Sequence, residues 1–247
     1  MTICDQDTKE MALAIDTAPS YIPQPEARAK GADAYRDPSW WYDIRGFFIL
    51  MGTYQVMIWK HLAFFSRNLG KRHLEAAIGS GTFMALTLVT QRLKGGDLPD
   101  EMIGIDYAER MLNGARKLFG RRKGITLIQA DLTDIKYPDS YFDSVNIAHS
   151  FHAFPDPDKV LAELHRVMRC NAKLYVDVLL NPRGGSLRKW LATRVNNFCF
   201  RKGILARTCD ADSTKAQFLK NGFDVVESYI IGNTYHVMAR KHSGTNA

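Results

Sequence analysis

What this chain lacks narrows its chemistry before any motif does. Its 247 residues include only four cysteines. Cys4, Cys170, Cys199 and Cys209 are scattered without metal-ligand spacing, so they read as free thiols of a reducing compartment, and no metal site is expected. No apolar run approaches the roughly 18 residues of a membrane span. No secretory leader is expected at the start of the sequence. Together these absences point to a soluble, cytoplasmic chain. Acidic residues are also in deficit, with 26 Asp and Glu against 33 Lys and Arg, a net charge of +7. Much of that excess falls in one segment, Arg188, Lys189, Arg194, Arg201 and Lys202, and basic charge alone gives only nonspecific attraction to polyanions.

What is present suits one catalytic unit. A hydrophobic content of 46% over this length supports a single sizeable core, and the alternation of strand and helix patterns predicts one doubly wound, Rossmann-like α/β sheet. Residues 1–36 read as an extended or disordered arm, since Thr17 to Glu26 holds three prolines and little periodicity. Residues 37–247 read as one domain: a helical cap over 37–70, a cofactor-binding core over 71–180, an inserted lid over 181–209, and a C-terminal helix and hairpin over 210–241.

The core opens on Leu74-Glu75-Ala76-Ala77-Ile78-Gly79-Ser80-Gly81-Thr82. An acid ends a short apolar strand there, and two alternating glycines lead into a helix, expected from about Phe83 to Arg92. Glycine permits the tight turn and close approach that a nucleoside needs. The second strand, Met102 to Asp106, also ends in a carboxylate, placed to accept both ribose hydroxyls. The third, Ile125 to Ala130, runs into Asp131-Leu132, an acid beside an apolar side chain that can cover a base. A dinucleotide fingerprint needs a small residue three positions after the second glycine, and here that residue is Met84. A cofactor without a pyrophosphate fits better.

These linked motifs, with Phe142 to Asn146 and Phe151 to Pro157 after them, resemble the class I S-adenosylmethionine-dependent methyltransferases over roughly Trp40 to Arg240. The resemblance is to the small-molecule subgroup that includes the ubiquinone and menaquinone biosynthesis enzymes. It implies a seven-stranded sheet with a closing antiparallel hairpin and a helical cap and lid. It implies S-adenosyl-L-methionine held by Tyr42 of the cap, by Glu75, Ala77, Gly79 and Gly81, by Asp106, Tyr107 and Met111, and by Asp131, Leu132 and Ala148. Two departures stand out. Ala77 replaces the family's usual first glycine, adding a methyl near the cofactor, and Cys170-Asn171-Ala172-Lys173 replaces the usual Lys-Pro-Gly-Gly turn before the fifth strand, expected over Lys173 to Leu180.

The aromatic residues from Trp40 to Phe65 suggest a pair of helices ending near Leu69. A second amphipathic helix is expected from Ser186 to about Ile204, with Leu187, Trp190, Leu191, Val195, Phe198 and Phe200 at helical spacing. In related enzymes a segment here forms the lid. Facing one another above the strand ends, the two pieces would favour a small lipophilic or aromatic acceptor, and the basic residues of the lid allow peripheral membrane contact. Nucleic acid is not expected as a partner, because the fourth strand lacks the Asn/Asp-Pro-Pro-aromatic loop of base methyltransferases. Sequence leaves the oligomeric state open.

The expected reaction is methyl transfer to a carbon or oxygen. The sulfonium is already activated, so the protein aligns the partners and removes a proton where the acceptor has one. His152 and then His149, beyond the fourth strand, are the candidate bases. His61, His73, His165 and His236 fall in helix or strand contexts with no partner motif. The alternatives are an enzyme of this fold that performs a cyclisation or rearrangement around a structural cofactor, and a noncatalytic cofactor-binding subunit.

Overall fold

In a computed structural model of the chain, the described residues are Gly46, 50–201, Leu205 and 207–242. The expected N-terminal arm, Trp40, Trp41, the cap residue Tyr42, and Phe47 and Phe48 lie outside them.

A π-helical turn, Leu50–Tyr54, precedes helix α1, Ile58–Phe65. The core then alternates: β1 Arg72–Ala76, α2 Thr82–Leu93, β2 Glu101–Asp106, α3 Glu109–Phe119, β3 Ile125–Gln129, β4 Phe142–Ile147, a short 3-10 turn Phe151–Ala153, α4 Pro157–Val167 and β5 Met168–Leu179. Helices α5, Ser186–Arg201, and α6, Ala211–Lys220, lead to β6, Phe223–Ile231, and β7, Thr234–Lys241. The strand order is β3-β2-β1-β4-β5-β7-β6. The first five strands run parallel, and β7 pairs antiparallel with both β5 and β6. This is the doubly wound sheet with a closing hairpin expected from sequence. Its order reverses between β1 and β4, which opens a crevice at their carboxyl ends.

Local chemistry sets the element ends. Asp156 caps α4 by accepting the Lys159 N–H, with Pro157 in the first turn, and Asp210 caps α6 by accepting from the Asp212 and Ser213 N–H groups. The central strands are buried on both faces and therefore apolar. Leu74, Ile103, Val145, Leu174 and Val176 join Phe142, Phe151, Leu161 and Leu164 in one core layer, and Ile78, Met84, Leu88, Leu112 and Phe119 form the other beneath α2 and α3. Strand β6 starts from the buried Phe223 and alternates exposed with half-buried residues, as a sheet edge with one wet face should.

One expected boundary shifts. The fifth strand starts at Met168, directly after α4, rather than at Lys173. The sequence Cys170-Asn171-Ala172 forms no separate turn. Instead Asn171 takes a left-handed φ of 62° inside the strand, and the β4–β5 register slips there. Asparagine tolerates that conformation better than most residues, so the irregularity is absorbed as a bulge.

The N-cap of α2, Gly81, has φ 79° and lies against α3. A Cβ there would stand 2.8 Å from Phe119 Cε2 and 3.1 Å from the Ala115 backbone. Gly81→Ala is therefore expected to lower the unfolding free energy by about 1–3 kcal/mol, read from the urea midpoint at unchanged slope. An unshifted midpoint would mean that α2 and α3 do not pack this closely.

Candidate active site

Carboxylates cluster where the sheet ends. Asp106 closes β2 with both oxygens engaged: Oδ2 accepts the Gly79 N–H and Oδ1 the Ala108 N–H, each at 2.8 Å. One side chain thus fixes both the glycine turn and the start of α3. Burial pushes its carboxyl up to about 6, against the pull of those two backbone donors. A carboxylate offers about four lone-pair positions, so two remain for hydroxyl groups. The Ala130 N–H donates to the Asp106 carbonyl, which brings the β3 end alongside. Asp131 folds on itself, its Oδ1 accepting from the Thr133 N–H and hydroxyl at 2.8 Å.

Glu75 is 3% exposed and paired with the buried His73, Nε2 to Oε2 at 3.2 Å. His73 Nδ1 lies 2.8 Å from Ser144 Oγ, which accepts the Gly70 N–H. The tautomer with Nε2–H donating to Glu75 and Nδ1 accepting from the serine satisfies every group in the row. Burial raises the Glu75 carboxyl, and His73 opposes the shift.

The remaining residues of the expected cofactor set distribute around this turn. Ala77 and Gly79 both have φ near +60°, a conformation that costs a non-glycine residue about 1–2 kcal/mol. Strain is thus held within the glycine turn itself. Met111 is buried beneath Gly79, at 3.5 Å from where its Cβ would be. Leu132 is buried, Tyr107 is exposed with its carbonyl accepting from Gln129 Nε2, and Ala148 packs beside Phe64, Phe65 and Tyr175.

Past β4 the chain turns through His149, whose φ is 54°. Its N–H donates to Asp177 Oδ1 at 2.6 Å and its Nε2 lies 3.0 Å from Oδ2 of the same carboxylate. His61 of α1 brings Nδ1 to 3.1 Å from that Oδ2. His236, opposite Asp177 in the β5–β7 register, sets its ring 5.2 Å from that of His61. Three histidines thus surround one fully buried acid. Burial lowers His149 to about 3 and His236 to about 4 in spite of Asp177. Burial also opposes charge on Asp177, but the imidazoles of His149 and His61 and the His149 backbone N–H outweigh it and hold the carboxyl below the usual range. An anionic Asp177 among neutral rings satisfies both tendencies.

His152, in the 3-10 turn, is 8% exposed, and its Nδ1 is 2.8 Å from the Tyr54 hydroxyl. Burial lowers it to about 4, so the ring is neutral near pH 7. Tyr54 also meets His61 and His149 edge-on, while Phe83 stands 4.6 Å from the His149 ring. Sequence reasoning named His149 and His152. It missed Tyr54 and Asp177 and set His61, His73 and His236 aside as having no partner. The available signal was an acid in the apolar strand Tyr175-Val176-Asp177-Val178; nothing local tied it to histidines on α1 and β7.

A mostly parallel sheet whose seventh strand is inserted antiparallel beside β5, with a glycine turn pinned by the β2 acid, defines a Rossmann-like α/β domain with a crevice at its strand ends. Residues 74–176 match the family profile described as "Methyltransferase domain". The chain is 27% identical over 230 residues to methyltransferase ctvB of Aspergillus terreus, covering 86% of this chain and 95% of that one. It is 38% identical over 107 residues to the demethylmenaquinone methyltransferase of Thermus thermophilus, covering 43% of this chain and 46% of that protein, a little under half its length. A SAM-dependent methyltransferase structure from Aquifex aeolicus superposes with a TM-score of 0.58 at 18% identity, over 83% of this chain and all of that one. Residues 74–176 of the chain are thus a methyltransferase domain, and the profile, the relatives and the neighbouring structures together support an S-adenosylmethionine-dependent methyltransferase with S-adenosylmethionine as its cofactor.

An Asp106 that accepts ribose hydroxyls would do so in its ionised form, and burial pushes its carboxyl up to about 6. S-adenosylhomocysteine affinity is therefore expected to be level above pH 7 and to fall below pH 6, approaching about tenfold per unit. In Asp106→Asn calorimetry should find weak binding with that pH dependence gone; a wild-type affinity constant down to pH 5 would remove Asp106 from the ribose.

Proposed function

We propose that this methyltransferase acts on an oxygen or carbon of a small hydrophobic or aromatic acceptor of quinol or phenol type. The relatives named demethylmenaquinone methyltransferase support a lipophilic, quinone-like partner. Within the site, the supporting observation is the Tyr54–His152 hydrogen bond in a wall of rings beside the β4 end. In this proposal the described residues 50–70 and 181–201 contribute to the cap and lid.

In this reading Asp106 holds the ribose, Asp131 and Leu132 flank the adenine, and Glu75 faces the methionyl ammonium from beneath the turn. Transfer to a hydroxyl releases a proton as the carbon–oxygen bond forms and the carbon–sulfur bond breaks. His152 takes that proton. With Nδ1–H donating to the Tyr54 oxygen, Nε2 carries the free lone pair, and Tyr54 holds the ring in that tautomer. The neutral state that burial imposes keeps the base ready near pH 7.

Helix α5 supports peripheral membrane contact as the route by which such an acceptor arrives. Leu187, Trp190, Leu191, Phe198 and Phe200 are exposed on it among Arg188, Lys189, Arg194 and Arg201.

Incubation with the cofactor and a panel of quinols and phenols should yield a product heavier by one methylene unit. His152→Ala is expected to lower turnover by about 10²–10⁴-fold with S-adenosylhomocysteine affinity unchanged, and Tyr54→Phe to lower it less. An isobaric product would replace transfer by rearrangement, and full turnover in His152→Ala would remove the base.

A further inference from the structure

The cluster around Asp177 has a geometry that hydrogen bonding leaves unexplained. Asp177 and His61 are fully buried, and His149 exposes 16% of its side chain. Asp177 Oδ2 sits 3.0 Å from His149 Nε2 and 3.1 Å from His61 Nδ1. Those distances suit hydrogen bonds, yet Asp177 Oδ2, His149 Nε2 and both nitrogens of His61 make none of acceptable direction. Leaving such atoms unsatisfied in the interior costs about 1–3 kcal/mol each, and one from each of the three residues falls in a single small cluster.

A metal ion accounts for the convergence. The three ligand atoms lie within 4.8 Å of one another. Nitrogen and oxygen ligands at about 2.0–2.1 Å from a tetrahedral ion stand roughly 3.3 Å apart, close to the two spacings from Asp177 Oδ2, 3.0 and 3.1 Å. The contributions come from three separate elements: α1, the turn after β4, and β5. Two imidazoles and one carboxylate form the donor set that selects zinc and its neighbours among the divalent transition metals rather than calcium or magnesium. We propose that His61 Nδ1, His149 Nε2 and Asp177 Oδ2 bind one divalent transition-metal ion, with His236 standing behind His61. Three protein ligands leave at least one coordination position, and His149 is the only one of the three with access to solvent. The ion joins α1 to the sheet, and its binding does not depend on which acceptor is methylated. A histidine or carboxylate search along the sequence alone would miss it, because the ligands are spaced 88 and 28 positions apart.

The test uses the full, tag-free chain, stripped with a chelator and titrated with zinc against a chromophoric competitor. One equivalent should bind, and cobalt(II) loaded in its place should show the visible d–d absorption of a low-coordinate site with histidine nitrogen. His149→Gln, the least buried ligand, should weaken zinc binding by at least about 100-fold, beyond the 10–100-fold typical of losing a partner behind a ligand. His165→Gln, on α4 outside the cluster, should leave zinc binding unchanged. Thermal unfolding of each apo variant shows that it is folded. No stoichiometric zinc in the wild type, cobalt spectra without nitrogen coordination, or equal affinity in folded His149→Gln would each overturn the site. Because the readout is metal binding, failure of the proposed methyl acceptor would leave it standing.

Discussion

A charge held in the interior dictates the arrangement of the catalytic end of this molecule. Asp177 is fully buried, and an isolated carboxylate there would be prohibitively expensive. Everything near it is placed to answer that charge. The backbone at His149 accepts a left-handed turn so that its N–H can reach Oδ1. Helix α1 delivers His61, and β7 delivers His236. Around this knot the rings of Tyr54, Phe65 and Phe83 close the wall against water. Asp106 plays a corresponding part at the glycine turn, tying that turn, β2 and α3 together through two backbone donors. The active-site end is therefore organised by anions that recruit donors from several segments.

The fold was largely legible because its signals are local. Apolar strands ending in Glu75, Asp106 and Asp131, helices opened by glycine or aspartate, and the alternation of Phe223 to Tyr229 each declare themselves within a dozen residues. The start of β5 was not legible, since whether Asn171 makes a turn or a bulge depends on its pairing with β4. The site was legible by halves. The expected cofactor residues follow from strand ends, whereas Tyr54 and His152 meet across 98 positions and His61 meets Asp177 from another layer. Such pairs exist only after the sheet has brought them together, and no periodicity encodes them.

Rigidity and strain divide between the two halves of the site. The turn at Ala77 is strained and held by the Ile78, Gly79 and Gly81 N–H groups, and burial pushes the Asp106 carboxyl beneath it up to about 6. The histidine side is tied by single contacts between distant segments. Arg67, just after α1, and Glu227 of β6 add an outer clasp, with guanidinium nitrogens at 3.2 and 2.8 Å from the carboxylate oxygens, but both are well exposed and such pairs contribute little. What keeps α1 in place is burial of Phe64 and Phe65 against Tyr175, together with Asn68, whose amide donates to the Val145 and Lys173 carbonyls.

The position of β7 bears on how the chain is made. It is the last described strand in sequence and yet lies inside the sheet, between β5 and β6. During synthesis the first 230 residues can leave the ribosome with β5 still presenting an open hydrogen-bonding edge, and Asp177 still without His236 opposite it. Closure of the sheet and completion of the histidine cluster thus become one late event. A ribosome stalled before Thr234 would release an unfinished edge prone to pairing with its neighbours, rather than a shortened enzyme.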